Sequence, residues 1–217
     1  MCSARDAEPL NPNFYYKVDQ SYQYYVENWY TELDFACQPA SAISFMFIWY
    51  FVGTLSSTIF SAMPDKYGRK KTVYFFLLAS VIAQAILIYW PSYNAKCVAY
   101  FILGLGRLKD SQCYVWLSEF FPFRLKSTSY TIINIIDASP MSVTCFWLYF
   151  VNRDIKVINE IVFYIVIFAL LTITILPDSP RWLIINNRRT DTIKSLNYLA
   201  KWNWSKKRIP RDAMFEE

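Results

Sequence analysis

The sequence of 217 residues contains no histidine and only four glycines, and charged residues make up 18% of it, against about 25% in an average soluble protein. Without histidine, the chain lacks the side chain that most often serves as a metal ligand or as an acid and base near neutral pH. It also contains no Cys-x-x-Cys pair, no glycine-rich phosphate-binding loop and no nucleophile motif. We therefore expect no enzyme activity, no metal site and no cofactor.

Apolar residues are abundant instead and make up 55% of the chain. They are concentrated in five runs of about twenty residues, the length of helix that crosses the ~30 Å hydrocarbon core of a bilayer. The runs are Pro39–Phe60, Thr72–Pro91, Ala95–Ser118, Ser127–Phe150 and Val157–Pro177. The sequence therefore predicts an all-α integral membrane protein with about five transmembrane helices.

Lysine and arginine are distributed unevenly between the two ends of these runs. Fifteen of the 22 cations lie in three segments at one end, which are Ser61–Lys71, Phe120–Thr128 and Asp178–Glu217. Cytoplasmic loops carry the excess of positive charge in membrane proteins, so we expect this end to be cytoplasmic. The net charge of +5 is then a consequence of membrane topology, and we expect the lipid bilayer and not a nucleic acid as partner.

This orientation divides the chain into three segments. Residues 1–38 form an extracellular N-terminal segment, residues 39–177 form the five-helix transmembrane bundle, and residues 178–217 form a cytoplasmic segment. In the last segment Ile193 and Leu196 recur with Leu199 at helical spacing beside cations, which predicts a helix on the membrane surface. We expect a multi-pass protein of the plasma membrane with its N-terminus outside and its C-terminus in the cytoplasm.

Ionisable residues lie near the middle of the third and fourth runs, where they are unfavourable unless paired or hydrated. Arg107 is twelve residues from Glu119, or roughly 18 Å of helix. Asp137 lies at a similar depth, roughly 15 Å from the same end of its run. We expect either a polar lining that binds a substrate or ion, or a structural ion pair between two helices. The candidates are Arg107, Asp110, Tyr114, Asn134 and Asp137.

A short hairpin joins the first two runs and forces their helices to be neighbours. It places an acid, a glycine and four cations between Asp65 and Lys71. Gly68 allows a backbone conformation that residues with a Cβ resist, and Arg69 offers a planar fork for a carboxylate. The segment resembles the D-R-x-G-R-[RK] loop between helices two and three of the major facilitator superfamily, with Lys66 in place of the first arginine.

Two later segments resemble motifs of the same superfamily. YVWLSEFFPFRLKS resembles the segment that closes helix four in its sugar and organic-ion transporters, in which E-x-x-P-x-x-x-R follows a tyrosine. LPDSPRWLI resembles the P-E-S-P-R-W-L sequence that follows helix six. The matching residues are Tyr114, Glu119, Pro122 and Lys126 in the first segment, and Asp178, Pro180 and Arg181 in the second.

The segment WYTELDFAC resembles the T-E-W-D-L-V-C stretch that ends the large extracellular loop of organic cation and anion transporters. Its matching residues are Thr31, Glu32, Asp34 and Cys37. The resemblances together extend over Thr31–Leu183. The chain is thus similar to the organic cation/anion branch of the superfamily, over helices two to six of the N-terminal half only.

The resemblance implies a partial N-terminal half-bundle whose cytoplasmic motifs act as a gating latch. Carried over to this chain, Asp65 and Arg69 would engage Glu119 and Arg181. The family usually has an arginine about nineteen residues before that glutamate, but this chain has CVAYF, without a cation, at that place. The implied gating residues are Asp65, Gly68, Arg69, Lys70, Glu119, Pro122, Lys126, Asp178, Pro180 and Arg181.

For function, the resemblance implies part of a secondary-active transporter of small organic ions that is truncated and does not transport alone, because alternating access needs both halves. Three interpretations stay open. The chain is a truncated gene product or incomplete gene model, a half-transporter completed by a second chain or by oligomerisation, or a non-transporting structural subunit built on a degenerate transporter half. The first two predict uptake only when the missing helices are supplied, whereas the third predicts stable association with other membrane subunits.

Overall fold

The computed structural model of the chain describes residues 2–3, 15–16, 22, 25–26, 28–33, 35, 38–205 and 208–210. Before the bundle it contains a short antiparallel strand pair, β1 (Cys2–Ser3) with β2 (Tyr15–Tyr16). One turn of helix, α1 (Trp29–Glu32), follows. Asp34 and Cys37, two of the residues that match the organic-ion transporter motif, lie outside the described residues.

The remainder of the chain is built from helices. The elements in order are α2 (Ala40–Ser57) with a 3-10 turn (Thr58–Phe60), α3 (Met63–Tyr67), α4 (Arg69–Tyr89), α5 (Tyr93–Leu105), α6 (Arg107–Ser118), α7 (Phe123–Phe150), α8 (Ile155–Ile175), α9 (Pro180–Ile185) and α10 (Arg189–Trp202). Among the described residues, four helices are long and apolar enough to cross a membrane, at Ser41–Phe60, Arg69–Tyr89, Phe123–Phe150 and Ile155–Ile175. The prediction of an all-α membrane bundle is confirmed.

The third predicted run, Ala95–Ser118, is divided between α5 and α6. The two helices meet at Gly106, whose backbone stays in the right-handed region with φ −63° and ψ −12°. The run therefore crosses the bundle as two consecutive helices and not as one continuous helix. The charged residues Arg107, Lys109 and Asp110 begin the second of these helices.

Helices α2 and α5 pack closely against each other through two glycines. A Cβ on Gly53 would lie 2.1 Å from the carbonyl oxygen of Phe101, and a Cβ on Gly104 would lie 2.0 Å from that of Tyr50. Small residues at a crossing allow helix backbones in membranes to pack closely. Neither glycine can therefore be replaced without separating the two helices.

Helix α4 forms the centre of the bundle and packs against α5, α6 and α8. Its Val73 and Leu77 form a core cluster with Trp116 of α6 and Ile173 of α8. Helix α7 lies at the edge, and all of its 28 residues are at least partly exposed. The fold thus has one well-packed side and one helix with an open face.

Candidate functional site: the motif end of the bundle

The hairpin between α2 and α4 consists of α3 and Gly68. Pro64 lies in the first turn of α3, where a missing N–H removes no helical hydrogen bond. Gly68 then ends α3 with φ +97° and ψ 145°, a conformation that L side chains rarely adopt. The turn makes Arg69 the first residue of α4. We call this end of the bundle, with Glu119 and Asp178–Trp182, the motif end.

Arg69 and Glu119 form an ion pair across the motif end. Nη1 of Arg69 lies 2.6 Å from Oε1 of Glu119, and the two side chains are 18% and 5% exposed. The contact is an ion pair by distance, although the N–H of that nitrogen is not aligned as a hydrogen bond. The pair joins the start of α4 to the end of α6. Because both groups are largely withdrawn from water, loss of one leaves the other uncompensated.

Ser179 connects Glu119 to α9. Its hydroxyl donates a hydrogen bond to Oε2 of Glu119 and accepts one from the backbone N–H of Trp182 at 3.1 Å. Serine is a preferred residue at the N-terminal cap of a helix because its oxygen satisfies a free N–H there, and Pro180 occupies the first helical position. The Glu119 carboxylate thus joins Arg69 of α4 to Ser179 before α9, two residues that lie more than a hundred positions apart in the sequence.

Trp182 ties α9 to the hairpin through the main chain. Its indole Nε1 donates a hydrogen bond to the carbonyl oxygen of Asp65 at 2.8 Å. The ring packs over Gly68, and a Cβ there would lie in van der Waals contact with it, at 3.4 Å. The sequence motif contains this tryptophan, but its partner was not predicted, since nothing in a sequence marks one carbonyl as an acceptor.

Lys70 ties the start of α4 to the end of α8. Its Nζ donates hydrogen bonds to the carbonyl oxygens of Thr174, at 3.1 Å, and of Leu176. The last carbonyls of a helix have no partner within the helix, and a cation is favourable at that negative end. This motif residue therefore stabilises a helix terminus.

Other predicted gating residues lie around this cluster without joining it. The side chains of Asp65 and Arg181 are exposed, and neither forms an ion pair within the described part of the chain. Ser179, the N-terminal cap of α9, contacts Glu119 in its place. Arg181 lies in the first turn of α9 and is exposed. Pro122 precedes α7 as its N-terminal cap, Lys126 lies in the first turn of that helix, and the carbonyl of Asp178 accepts a hydrogen bond from Ser195 of α10 at 2.7 Å.

The intramembrane candidates are brought together only in part. Asp110 pairs within α6 with Arg107 at 2.9 Å and with Lys109 at 3.1 Å. No ion pair joins Arg107 to Asp137 within the described residues. Asp137 instead interacts with Tyr114, and Asp110, Tyr114 and Asp137 line a cavity of about 170 Å³ between α6 and α7. Asn134 is exposed on α7.

A buried ion pair at the opposite end was not predicted. Nζ of Lys96, whose side chain is fully buried, lies 3.0 Å from Oε2 of Glu32. The Tyr93 hydroxyl also donates a hydrogen bond to the carbonyl of Ala42 at 2.7 Å. These contacts join α1 and the start of α2 to the start of α5. A signal existed in the sequence, since Glu32 belongs to the organic-ion transporter motif, but its partner was not evident.

Comparison with known proteins places these features in a family. A family model described as "Sugar (and other) transporter" matches residues 10–214. The chain is 25% identical to Steroid transmembrane transporter SLC22A24 of Oryctolagus cuniculus, over 93% of this chain and 36% of the relative. It is 26% identical to Solute carrier family 22 member 10 of Homo sapiens, over 93% and 37%, and 24% identical to human Solute carrier family 22 member 2, over 71% and 27%.

The chain spans little more than a third of the length of the first two relatives. The match confirms the predicted resemblance to the organic cation/anion branch of the major facilitator superfamily. The family model and the first relative are described as transporters and not as enzymes. An integral membrane protein with several spans follows from the family and from the apolar helices. The chain belongs to the sugar (and other) transporter family.

Proposed function

We propose that the chain forms helices two to six of the N-terminal half of a secondary-active organic-ion transporter, with the motif end as its gating latch. The Glu119 carboxylate carries this proposal, because it binds Arg69 of α4 and Ser179 before α9 at once. The contacts that Lys70 and Trp182 make with the main chain add support. A substrate site then lies elsewhere, toward the middle of the bundle.

Such a latch acts on a conformational equilibrium and not on the substrate. A group of contacts present in one state and absent in another shifts the populations by the free energy of those contacts. A largely buried ion pair is suited to this role, because removal of one partner typically costs about 3–5 kcal/mol. The outward-open state is the one that the superfamily resemblance assigns to the closed latch.

We further propose that transport requires helices beyond these residues. The relatives that match are nearly three times as long as the aligned part, and every residue of α7 keeps some exposure that a further helix could cover. In the proposed arrangement the motif end faces the cytoplasm of the plasma membrane, in agreement with its excess of lysine and arginine. The substrate is a small organic ion, and Arg107, Asp110 and Asp137 are the charged groups nearest to it.

A chimera tests this function. Thr31–Leu183 replaces the corresponding segment of rabbit SLC22A24, and uptake of a labelled steroid into cells is compared with that of the parent. We expect measurable uptake by the chimera, its loss in the E119A variant, and none by the chain alone. An inactive chimera that reaches the cell surface contradicts the transporter proposal. The structural-subunit alternative then gains support if the native chain copurifies with other membrane subunits.

A further inference from the structure

The N-terminal half of helix α10 packs against the rest of the chain. Ile193 is 5% exposed, and Thr192 and Ser195 beside it are buried. The Ser195 hydroxyl also donates its hydrogen bond to Asp178 before α9. Ile193 of the predicted stripe therefore packs inward, whereas Leu196 and Leu199 keep part of their surface exposed.

The C-terminal end of α10 presents a different surface. Six residues line an open cavity of about 730 Å³, and we call them the aromatic–cationic groove: Tyr198, Lys201, Trp202, Trp204, Ser205 and Arg208. Trp202 is 67% exposed and Trp204 is 94% exposed. Large exposed aromatic surfaces next to one another mark contacts with a membrane or a partner.

The groove is held in place by hydrogen bonds. Asn197 donates to the carbonyl oxygen of Ile209 at 3.0 Å and accepts from its backbone N–H at 2.9 Å, so residues 208–210 fold back along α10. Trp204 makes this reversal with φ +54°, a conformation that few residues with a Cβ adopt. Arg208 donates to the carbonyl of Ser205 at 3.2 Å. Both cations thus lie beside the two indoles.

The charge of the groove is not neutralised from its own helix. Asp191 is the acid of α10, and its carboxylate pairs with Lys194 at 3.1 Å, in the first half of that helix. Lys206 and Lys207 add two cations to the sequence between Trp204 and Arg208. The segment therefore combines exposed indoles with an excess of positive charge.

We propose that the aromatic–cationic groove binds the phosphate groups of anionic lipids and anchors α10 to the membrane surface. Tryptophan is enriched at the headgroup level, where its apolar ring and its N–H both find partners. Lysine and arginine close to that level are attracted by the negative surface potential of anionic lipids. The proposal concerns lipid contact alone and does not depend on transport by this chain.

The test uses the full chain in vesicles whose phosphatidylcholine carries bromine on the acyl chains, which quenches nearby indoles. The difference between the native chain and W204F isolates the emission of Trp204. We expect phosphatidylserine to increase the quenching of Trp204 and to shift its emission to the blue, and high salt to reverse both effects. Removal of each cation should weaken the binding of the groove to phosphatidylserine vesicles about fivefold. K201A/R208A should therefore lose most of the response of Trp204 to phosphatidylserine.

The control variant is K194A, which removes a cation of the same helix outside the groove and should keep the full response to phosphatidylserine. Quenching of the seven tryptophans left in W204F reports separately that the bundle is inserted. The proposal is overturned if aqueous iodide quenches Trp204 and bromolipid does not, both with and without phosphatidylserine. It is also overturned if inorganic phosphate added to neutral vesicles produces the same blue shift, since the groove would then be a site for free phosphate.

Discussion

The indole of Trp182 lies directly over Gly68, at the point where the hairpin turns into α4. The ring approaches to 3.4 Å of the position that a Cβ on residue 68 would take. Its N–H meanwhile donates to the carbonyl of Asp65 in the same hairpin. Glycine is required there by its positive φ, and the ring packs against it, so two separate motifs of the sequence form one contact surface.

Substitution G68A should destabilise the protein by about 1–3 kcal/mol. The alanine would adopt φ +97°, where L residues are strained, whereas its methyl would make only an ordinary van der Waals contact with the Trp182 ring. Thermal unfolding in detergent, followed by circular dichroism, measures the effect. S61A, at an exposed position of the same connection, is the control and should stay within about 0.5 kcal/mol of the native protein. Equal stability of G68A and S61A would contradict the interpretation.

The ion pair between Arg69 and Glu119 predicts strong coupling in a double-mutant cycle. R69A and E119A should each destabilise the chain by about 3 kcal/mol, because each leaves a largely buried charge without its partner. The double variant should lose clearly less than the sum, with a coupling energy of about 1–3 kcal/mol. R181A is the matched control, since that arginine is exposed, and its expected change is below about 0.5 kcal/mol. Additive losses would show that the two side chains act independently.

The contacts of the motif end differ in how far the sequence could predict them. Arg69 and Glu119 were expected to meet because both are charged residues at recognisable positions of two motifs. Lys70, Trp182 and Ser195 donate instead to main-chain carbonyls. Every residue has such a carbonyl, so no pattern of side chains identifies the acceptor, and only the folded chain reveals these contacts.

The helices of the bundle were likewise predicted only in part. Apolar runs predicted where helices cross the membrane, because length and composition determine that property. They did not predict the break at Gly106, where a run of adequate length is formed by α5 and α6 in succession. Nor did they predict the pair of Lys96 and Glu32, since Lys96 lies at the start of the third run and Glu32 precedes the first, and the two meet only after folding.

The pair of Lys96 and Glu32 predicts that K96A releases the N-terminal segment. A fully buried lysine removed from its carboxylate leaves Glu32 without compensation, and the segment before α2 then loses a contact with α5. Limited proteolysis should cleave K96A around α1 (Trp29–Glu32) several times faster than the native chain. K71A removes an exposed cation at the other end and should be cleaved at the native rate. An unchanged rate for K96A would show that the other contacts of Phe35 and Tyr93 suffice.

The excess of cations at the motif end predicts which side of the membrane each loop occupies. In a cysteine-free background, N152C lies between α7 and α8, whereas S61C lies in the hairpin of the motif end, and both positions are exposed. A membrane-impermeant thiol reagent applied to intact cells should label N152C at once and S61C only after permeabilisation. This follows because lysine and arginine at the motif end resist translocation across the membrane. The reverse pattern would place Arg69, Glu119 and Ser179 outside the cell, where a cytoplasmic latch cannot be.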